Sequence, residues 1–386
     1  MKNYDAVIIG AGLAGLQCAK LLSERGAKIL LVDRKSDLAK GVHTTGIFVR
    51  KTLEDFDFPE GTLGRSIKDV TLYSPKLKEI KLKSEKEEFR VGKMGAIYDE
   101  LLNEAVENGV RFARATSYKG AEIVGDETIV TLEKRGESTS VKTKVLIGAD
   151  GANSRVAKDL KLDENKEWIV GYEEVFHVKH KHDEPRLHCF LDAKLAPGYL
   201  AWIAADGEEI HIGVGGYAAN FNPREALKCF KEKTRNLFDL KNAELKETRG
   251  GRIPVGGVLR KISNEHGILI GDAAGAVSPL TAGGLDPAMR LSKFAAEIVW
   301  ERLQSDDSKI LLQFSGELFR ARFISRLWMR KIIKTFTNQR LLELCFTFLR
   351  GKIGQKFAKH VFFGRGSFPD VKLAQNTSNL SAKISV

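Results

Sequence analysis

The chain has only 4 cysteines in 386 residues, at 18, 189, 229 and 345. They form no Cys-x-x-Cys pair and no metal-ligand spacing, so neither a disulfide scaffold nor a metal site is expected. A reducing compartment is the default that follows. No apolar run reaches the ~18 residues of a membrane-crossing helix. The first strand is expected from residue 5, which leaves no room for a cleavable leader ahead of it. The expected location is therefore the cytoplasm. There is no internal repeat and no low-complexity tract, and only Thr377 to Val386 reads as a frayed tail. Acids are scarce in one place. Between Glu317 and Gly366 two acids face 12 Lys/Arg, so this stretch holds most of the chain's net +12.

Glycine is not scarce, and two segments are rich in it. The first is Gly10-Ala-Gly-Leu-Ala-Gly15. It follows a β-branched run, Asp5-Ala-Val-Ile-Ile9, of the kind expected in a buried parallel strand. Leu13, Leu16, Ala19 and Leu22 then recur at helical spacing, Gly26 stops the helix, and Lys28 to Val32 gives a second strand ending at Asp33. This is the strand–turn–helix–strand context that a dinucleotide fingerprint requires. Gly10 allows the tight turn, Gly12 lets backbone approach a pyrophosphate, and Gly15 lets helix and strand pack closely. A pyrophosphate would sit on the free N–H groups of the helix start. Asp33 is placed to accept from an adenosine ribose.

The second segment runs from Leu269-Ile-Gly-Asp-Ala-Ala-Gly275 to Gly283-Gly284. Between the two, strands occur in alternating sets, some nucleotide-type and some antiparallel. Residues 66 to 90 alternate apolar and polar, and Tyr199 to Val214 reads as a hairpin turning at Asp206-Gly207. Helices are expected around Ile97 to Ala105, Pro223 to Leu237 and Pro287 to Leu303. The fold class is α/β, α+β overall. A Rossmann-type nucleotide domain (1–65, 91–160 and 245–303) is interleaved with an antiparallel-sheet substrate domain (66–90 and 161–244), and a basic helical segment follows (304–386).

A third element, Gly148-Ala-Asp-Gly-Ala-Asn-Ser-Arg155, completes a combination that resembles the flavoprotein group containing para-hydroxybenzoate hydroxylase and the geranylgeranyl reductases. The resemblance covers residues 1 to about 300. Within the group, Gly250-Gly-Arg-Ile-Pro-Val-Gly-Gly257 and Gly271 to Gly284 are most similar to geranylgeranyl reductases. The resemblance implies FAD, held at Gly10, Gly12, Ala14, Gly15, Asp33 and Arg34 for the ADP half. It implies Thr45, Gly46, Asp272, Gly283, Gly284 and Leu285 for the flavin half. Asp272 would bind a ribityl hydroxyl, and the glycines would offer N–H groups to the flavin N1 and O2. Asp150-Gly151 reads equally as an FAD contact or as a strand-end turn.

The same resemblance implies reduction of C=C bonds in an isoprenoid lipid, with electrons from NAD(P)H or a ferredoxin-type donor. Departures fall on the substrate side. Tyr199-Leu-Ala-Trp202 keeps the Trp of a Tyr-x-Trp-x-Phe-Pro type motif, shifts the Tyr and lacks the Phe-Pro. His43-Thr-Thr-Gly46 stands where such reductases tend to carry Cys-Gly-x-Gly. Trp202 and Tyr199 are candidates to line an apolar tunnel, against plain core packing. His43 is a candidate proton donor, against a loop histidine bonded to backbone.

The basic segment also carries nine aromatics, and Arg326, Arg330 and Lys334 recur at helical i, i+4, i+8 spacing. An interfacial helix pair at the inner face of an anionic membrane fits both features. A helical cluster packed on the flavin domain fits them equally. The competing functions are an FAD-dependent monooxygenase acting on an apolar or aromatic molecule and an FAD-containing RNA-binding protein using the basic tail.

Overall fold

Val7 and Ile8 are fully buried, and the strand that carries them, Lys2–Ile9, lies at the centre of the first of two large sheets. The structure is a computed structural model that describes residues 1–364 apart from 178–183, 218, 220, 239, 241–242, 306 and 336–337. Lys2–Ile9 pairs in parallel with Glu137–Gly148 on one side and Ile29–Val32 on the other. Gly267–Leu269 and Arg111–Ala113 extend the parallel set outward. Such β-branched strands suit burial on both faces. The helices Leu13–Ser23, Met94–Glu107 and Leu285–Gln304 pack beside them, the first touching both of the others. A hairpin, Ser117–Val124 with Glu127–Lys134, is appended through Glu137–Gly148.

The second sheet has seven strands, in the order Glu244–Pro254, Trp168–His177, Glu209–Gly216, Ala201–Ala205, Arg186–Phe190, Asp69–Tyr73 and Glu79–Leu82. The hairpin at Asp206-Gly207 is present, with Gly207 in the left-handed region. Two features differ from the sequence reading. Arg186–Phe190 pairs in parallel with Asp69–Tyr73, because the chain returns to this sheet only after building much of the first. Glu244–Pro254 joins this sheet, pairing along its length with Trp168–His177, although residues from 245 on read as part of the nucleotide unit. Its charges, among them Glu244, Lys246, Glu247 and Arg249, hide the alternation that marks a strand.

The C-terminal segment forms the helices Gly316–Arg320, Ile324–Thr335, Gln339–Leu349 and Lys352–Phe362. Phe314 stacks on Phe294 of the long helix Leu285–Gln304 and Phe319 meets the same ring edge to face, which ties the segment to the first sheet's core. Its basic stripe does not face solvent as a unit. Arg330 is 2% exposed, Arg326 is half-buried, and only Lys334 is exposed, where it pairs with Glu167. Helical spacing placed the three on one face correctly, but that face turns toward the loop Ser278–Thr281. The outward faces are apolar instead, with Ile324, Trp328 and Ile332 on one helix, Leu344 and Phe348 on the next, and Ile353 and Phe357 on the last. Phe336 and Thr377 to Val386 lie outside the described residues. No described helix is long and apolar enough to cross a membrane.

Candidate active site

One cavity of about 1530 Å³ runs from the first glycine turn, past the second glycine segment and the second sheet, to the C-terminal helices. Small-molecule sites usually occupy ~300–1,000 Å³. This one therefore has room for more than a single compact ligand.

Its first wall is the turn after Lys2–Ile9. Gly10 adopts φ +104°, and a Cβ there would lie 2.2 Å from the Ala149 carbonyl oxygen. A Cβ on Gly15 would lie 1.9 Å from the Gly10 oxygen, so helix and strand meet at a distance only glycine permits. Gly12 differs, since a Cβ there would meet nothing within 4 Å. It caps the helix Leu13–Ser23 without any side-chain hydrogen bond, which leaves N–H groups of the first turn open, and both Gly12 and Ala14 line the cavity. Asp33 and Arg34 form the adjoining rim. The Asp33 carboxylate already accepts the Ala11 N–H at 2.7 Å and the Lys35 N–H at 2.8 Å. It holds the turn together as well as facing the space where a ribose would lie.

The second wall is the short helix Gly271–Ala274 and the loop that follows. Asp272 lines the cavity, and among the described residues no group donates to its carboxylate. Burial pushes that carboxyl up to about 6. A half-buried carboxylate without a donor is a site for hydroxyl donors from a ligand. The loop is closed on itself by the Ser278 N–H to Gly283 oxygen bond (3.0 Å) and the Ala282 N–H to Ser278 oxygen bond (2.9 Å). Gly283, Gly284 and Leu285 all line the cavity, and the helix Leu285–Gln304 starts there with no side-chain cap. Two uncapped helix starts and an unpartnered carboxylate fit a dinucleotide carrying a pyrophosphate and a ribityl chain.

Asp150 differs in that its carboxylate already has partners within the chain. Its carboxylate accepts from the Ser154 hydroxyl at 2.6 Å and the Arg155 N–H at 2.7 Å, and so serves the start of the helix Arg155–Asp159. Asp150 serves the strand-end turn, and both it and Gly151 line the cavity.

The loop His43–Gly46 crosses to the second sheet. Gly46, at φ +85°, accepts the Gly92 N–H at 2.8 Å. The His43 Nδ1 lies 3.0 Å from the Gly250 carbonyl oxygen, which can only accept, so Nδ1 carries the hydrogen. Burial, with Lys35 nearby, holds the imidazole below its ordinary value. A neutral ring in this tautomer accepts at Nε2, the reverse of what a proton donor needs. Thr45 donates to Glu173 at 2.5 Å.

On the second sheet, Trp202 donates from Nε1 to Glu173 at 2.8 Å, and the Tyr199 hydroxyl donates to the Thr281 carbonyl at 2.8 Å. Both rings line the cavity and meet edge to face, with centroids 6.4 Å apart. Tyr199 is thus fastened to the second glycine segment itself.

Four residues at the cavity wall escaped the sequence reading. Glu173 is 3% exposed. Burial pulls its carboxyl upward, but hydrogen bonds with His211 and Thr45 and the charge of Arg249 hold it below the usual range. Arg249 donates to the Thr44 carbonyl at 2.8 Å and pairs with Glu247 at 2.5 Å. Tyr98 lies beside Asp272, and burial drives its hydroxyl above the usual range. Arg330 enters the sequence reading only as part of the cationic stripe, which fits lipid headgroups and a packed helix cluster equally. A signal existed for Glu173, an acid in phase with Ile169, Gly171 and Val175 on the buried face of an alternating strand.

A family model described as FAD binding domain matches residues 3–317. The digeranylgeranylglycerophospholipid reductase of Methanocaldococcus jannaschii is 30% identical over 310 residues, which is 79% of this chain and 78% of that one. The enzyme of the same name from Methanococcus vannielii is 29% identical, over 87% and 85% of the two chains. Among solved structures, a geranylgeranyl bacteriochlorophyll reductase-like protein from Thermoplasma acidophilum superposes with a TM-score of 0.82 at 20% identity, covering 95% of this chain and 98% of that one. A myxobacterial chondrochloren halogenase shares the fold at a TM-score of 0.69 and 15% identity, over 98% and 97%. Fold alone does not separate reductase from halogenase, but the sequence relatives do. The chain belongs to the geranylgeranyl reductase family of FAD-dependent oxidoreductases.

Proposed function

We propose that this protein saturates C=C double bonds of a geranylgeranyl-type isoprenoid lipid or precursor. The observation that carries the reading is the single cavity, which joins the nucleotide turn, the second glycine segment and an apolar wall formed by Trp202, Leu187 and Met329. An alkene has no polar handle, so it must be held by shape and by exclusion of water.

Bound FAD would supply the hydride. Gly10, Gly12, Ala14, Gly15, Asp33 and Arg34 would hold its ADP half, with the open N–H groups after Gly12 on the pyrophosphate. Asp272 would take a ribityl hydroxyl, and Gly283, Gly284 and Leu285 would present backbone N–H groups where negative charge collects. Thr45 and Gly46 would close the opposite side. Tyr199 acts through the Thr281 carbonyl to fix that backbone, while Trp202 presents its indole to the lipid. His43, neutral and accepting at Nε2, keeps its loop in place rather than delivering the proton. We divide the chain into nucleotide, substrate and C-terminal parts as its sequence suggests, counting Glu244–Pro254 with the substrate sheet.

The electron donor we propose is NAD(P)H or a ferredoxin-type protein. The lipid reaches the cavity from the inner face of an anionic membrane, against which the protein lies from the cytoplasmic side. The apolar outward faces of the last three helices and the exposed cations around them, Lys331, Arg350, Lys352 and Lys356, support this. RNA binding would not use such faces.

The test separates reduction from oxygenation. Photoreduced holoprotein, kept free of oxygen, is mixed with unsaturated archaeal-type lipid. Reoxidation of the flavin by the lipid alone supports the reading, whereas strict dependence on oxygen would transfer it to a monooxygenase.

A further inference from the structure

Glu173 is a buried carboxylate on the strand Trp168–His177, where Ile169, Gly171 and Val175 share its inward side and buried Arg249 stands opposite it on the next strand. Such a group costs several kcal/mol to bury unless its oxygens are fully used. Here they are. Oε2 accepts from both the Thr45 hydroxyl (2.5 Å) and the Trp202 indole (2.8 Å). Oε1 faces His211 Nδ1 at 3.4 Å and an Arg249 guanidinium nitrogen at 3.6 Å. The two donors to Oε2 belong to different parts of the fold. Thr45 stands in the loop after the nucleotide unit's second strand, and Trp202 stands on the strand Ala201–Ala205 of the other sheet. All three residues line the cavity. One oxygen atom therefore sets both the loop and the plane of the indole. Arg249 reinforces the arrangement by holding the Thr44 carbonyl.

We infer that Glu173 is a positioning residue for the reaction. By accepting from Thr45 and Trp202 on a single oxygen, it fixes two sides of the space the substrate must occupy. It touches neither reacting atom and acts through those two donors. The inference rests on the reading above that the alkene lies in this cavity.

The full-length, FAD-loaded protein is compared with Glu173→Leu, Glu173→Gln, Thr45→Val and the double variant Glu173→Leu/Thr45→Val. Misplacement of a reacting group by about 1 Å can cost ~100-fold. Glu173→Leu and Thr45→Val are each expected to lower kcat about 10- to 100-fold, with lipid KM changed less than about threefold. The double variant should fall no further than Glu173→Leu, because the two residues act through one contact. Glu173→Gln retains an acceptor oxygen and should lose only about threefold. The visible spectrum of bound flavin, recorded without lipid, should shift in Glu173→Leu and Thr45→Val and stay close to wild type in Glu173→Gln. Should Glu173→Leu not fold, Thr45→Val carries the comparison alone. Wild-type kcat and spectrum in Thr45→Val would overturn the inference, as would additive losses in the double variant or a Gln variant as poor as Leu. A wild-type protein inert on lipid would sink the reductase reading, and the spectral comparison would still judge Glu173.

Discussion

Arg330 donates from Nε to the Pro279 carbonyl oxygen at 2.6 Å, although the two residues are 51 positions apart. Its guanidinium also bonds the Gly198 carbonyl and lies over the rings of Tyr199 and Tyr217. The C-terminal segment thereby fastens the second glycine segment. Arg330→Met keeps volume but leaves two carbonyls without their donor, at about 1–3 kcal/mol each. The expected result is a lower melting temperature and FAD affinity weakened by at least about tenfold, measured by calorimetry and flavin titration. Unchanged FAD affinity in a folded variant would show that this clamp does not shape the cofactor site.

Asp272 gives a pH dependence with a definite sign. Its carboxyl is raised to about 6 by burial, above an unfolded value near 3.8. Ionising it in the folded apoprotein is therefore unfavourable, and the protein loses stability from this group as pH rises between about 4 and 6. Asp272→Asn should melt like wild type at pH 4 and higher than wild type at pH 7.5, both without FAD. FAD favours the ionised form through its hydroxyl donors, so wild-type affinity should rise with pH through about 6, and the Asn variant should lose that slope. A parallel pH profile in the two proteins would contradict the assignment.

The glycines of the first turn separate packing from ligand contact. Gly15→Ala forces a Cβ onto the Gly10 carbonyl oxygen and should cost at least ~1–3 kcal/mol of stability. Gly12→Ala meets open space and should fold normally, yet its methyl group occupies the cofactor's side of the turn and should weaken FAD binding. Chemical denaturation with and without FAD distinguishes the two. Equal stability losses at both positions would remove the distinction.

The outward apolar faces make a membrane test direct. Trp328 is 63% exposed and Phe348 67%. Trp328→Ser/Phe348→Ser should keep the wild-type melting temperature and lose most binding to sedimented vesicles containing anionic lipid. Wild-type binding should fall with added salt, because surface cations contribute ~1 kcal/mol each. Full binding by the double variant would place the contact elsewhere.

Sequence reading reached furthest where chemistry demands a fixed local shape. The turn at Gly10 to Gly15, the strand end at Asp33 and the helix start near Leu285 could be read because a steric or backbone requirement limits the residue type. It reached less far where meaning depends on which way a face turns. The spacing of Arg326, Arg330 and Lys334 placed them together, but nothing in the spacing says that the face points inward to Ser278 and Pro279. Glu173 and Arg249 meet on adjacent strands of one sheet, 76 positions apart in the chain, and no local pattern marks that meeting. Asp150, plausible as a ligand contact, has its oxygens taken up by its own helix.

The measurement closest to the central claim is the mass of lipids extracted after incubation with the holoprotein and a reducing system. Saturation of a C=C bond adds two hydrogens, so the account predicts product masses rising in steps of two hydrogens per double bond, with deuterium entering from labelled solvent or donor. Products heavier by one oxygen, or lipids unchanged while the flavin turns over, would contradict it.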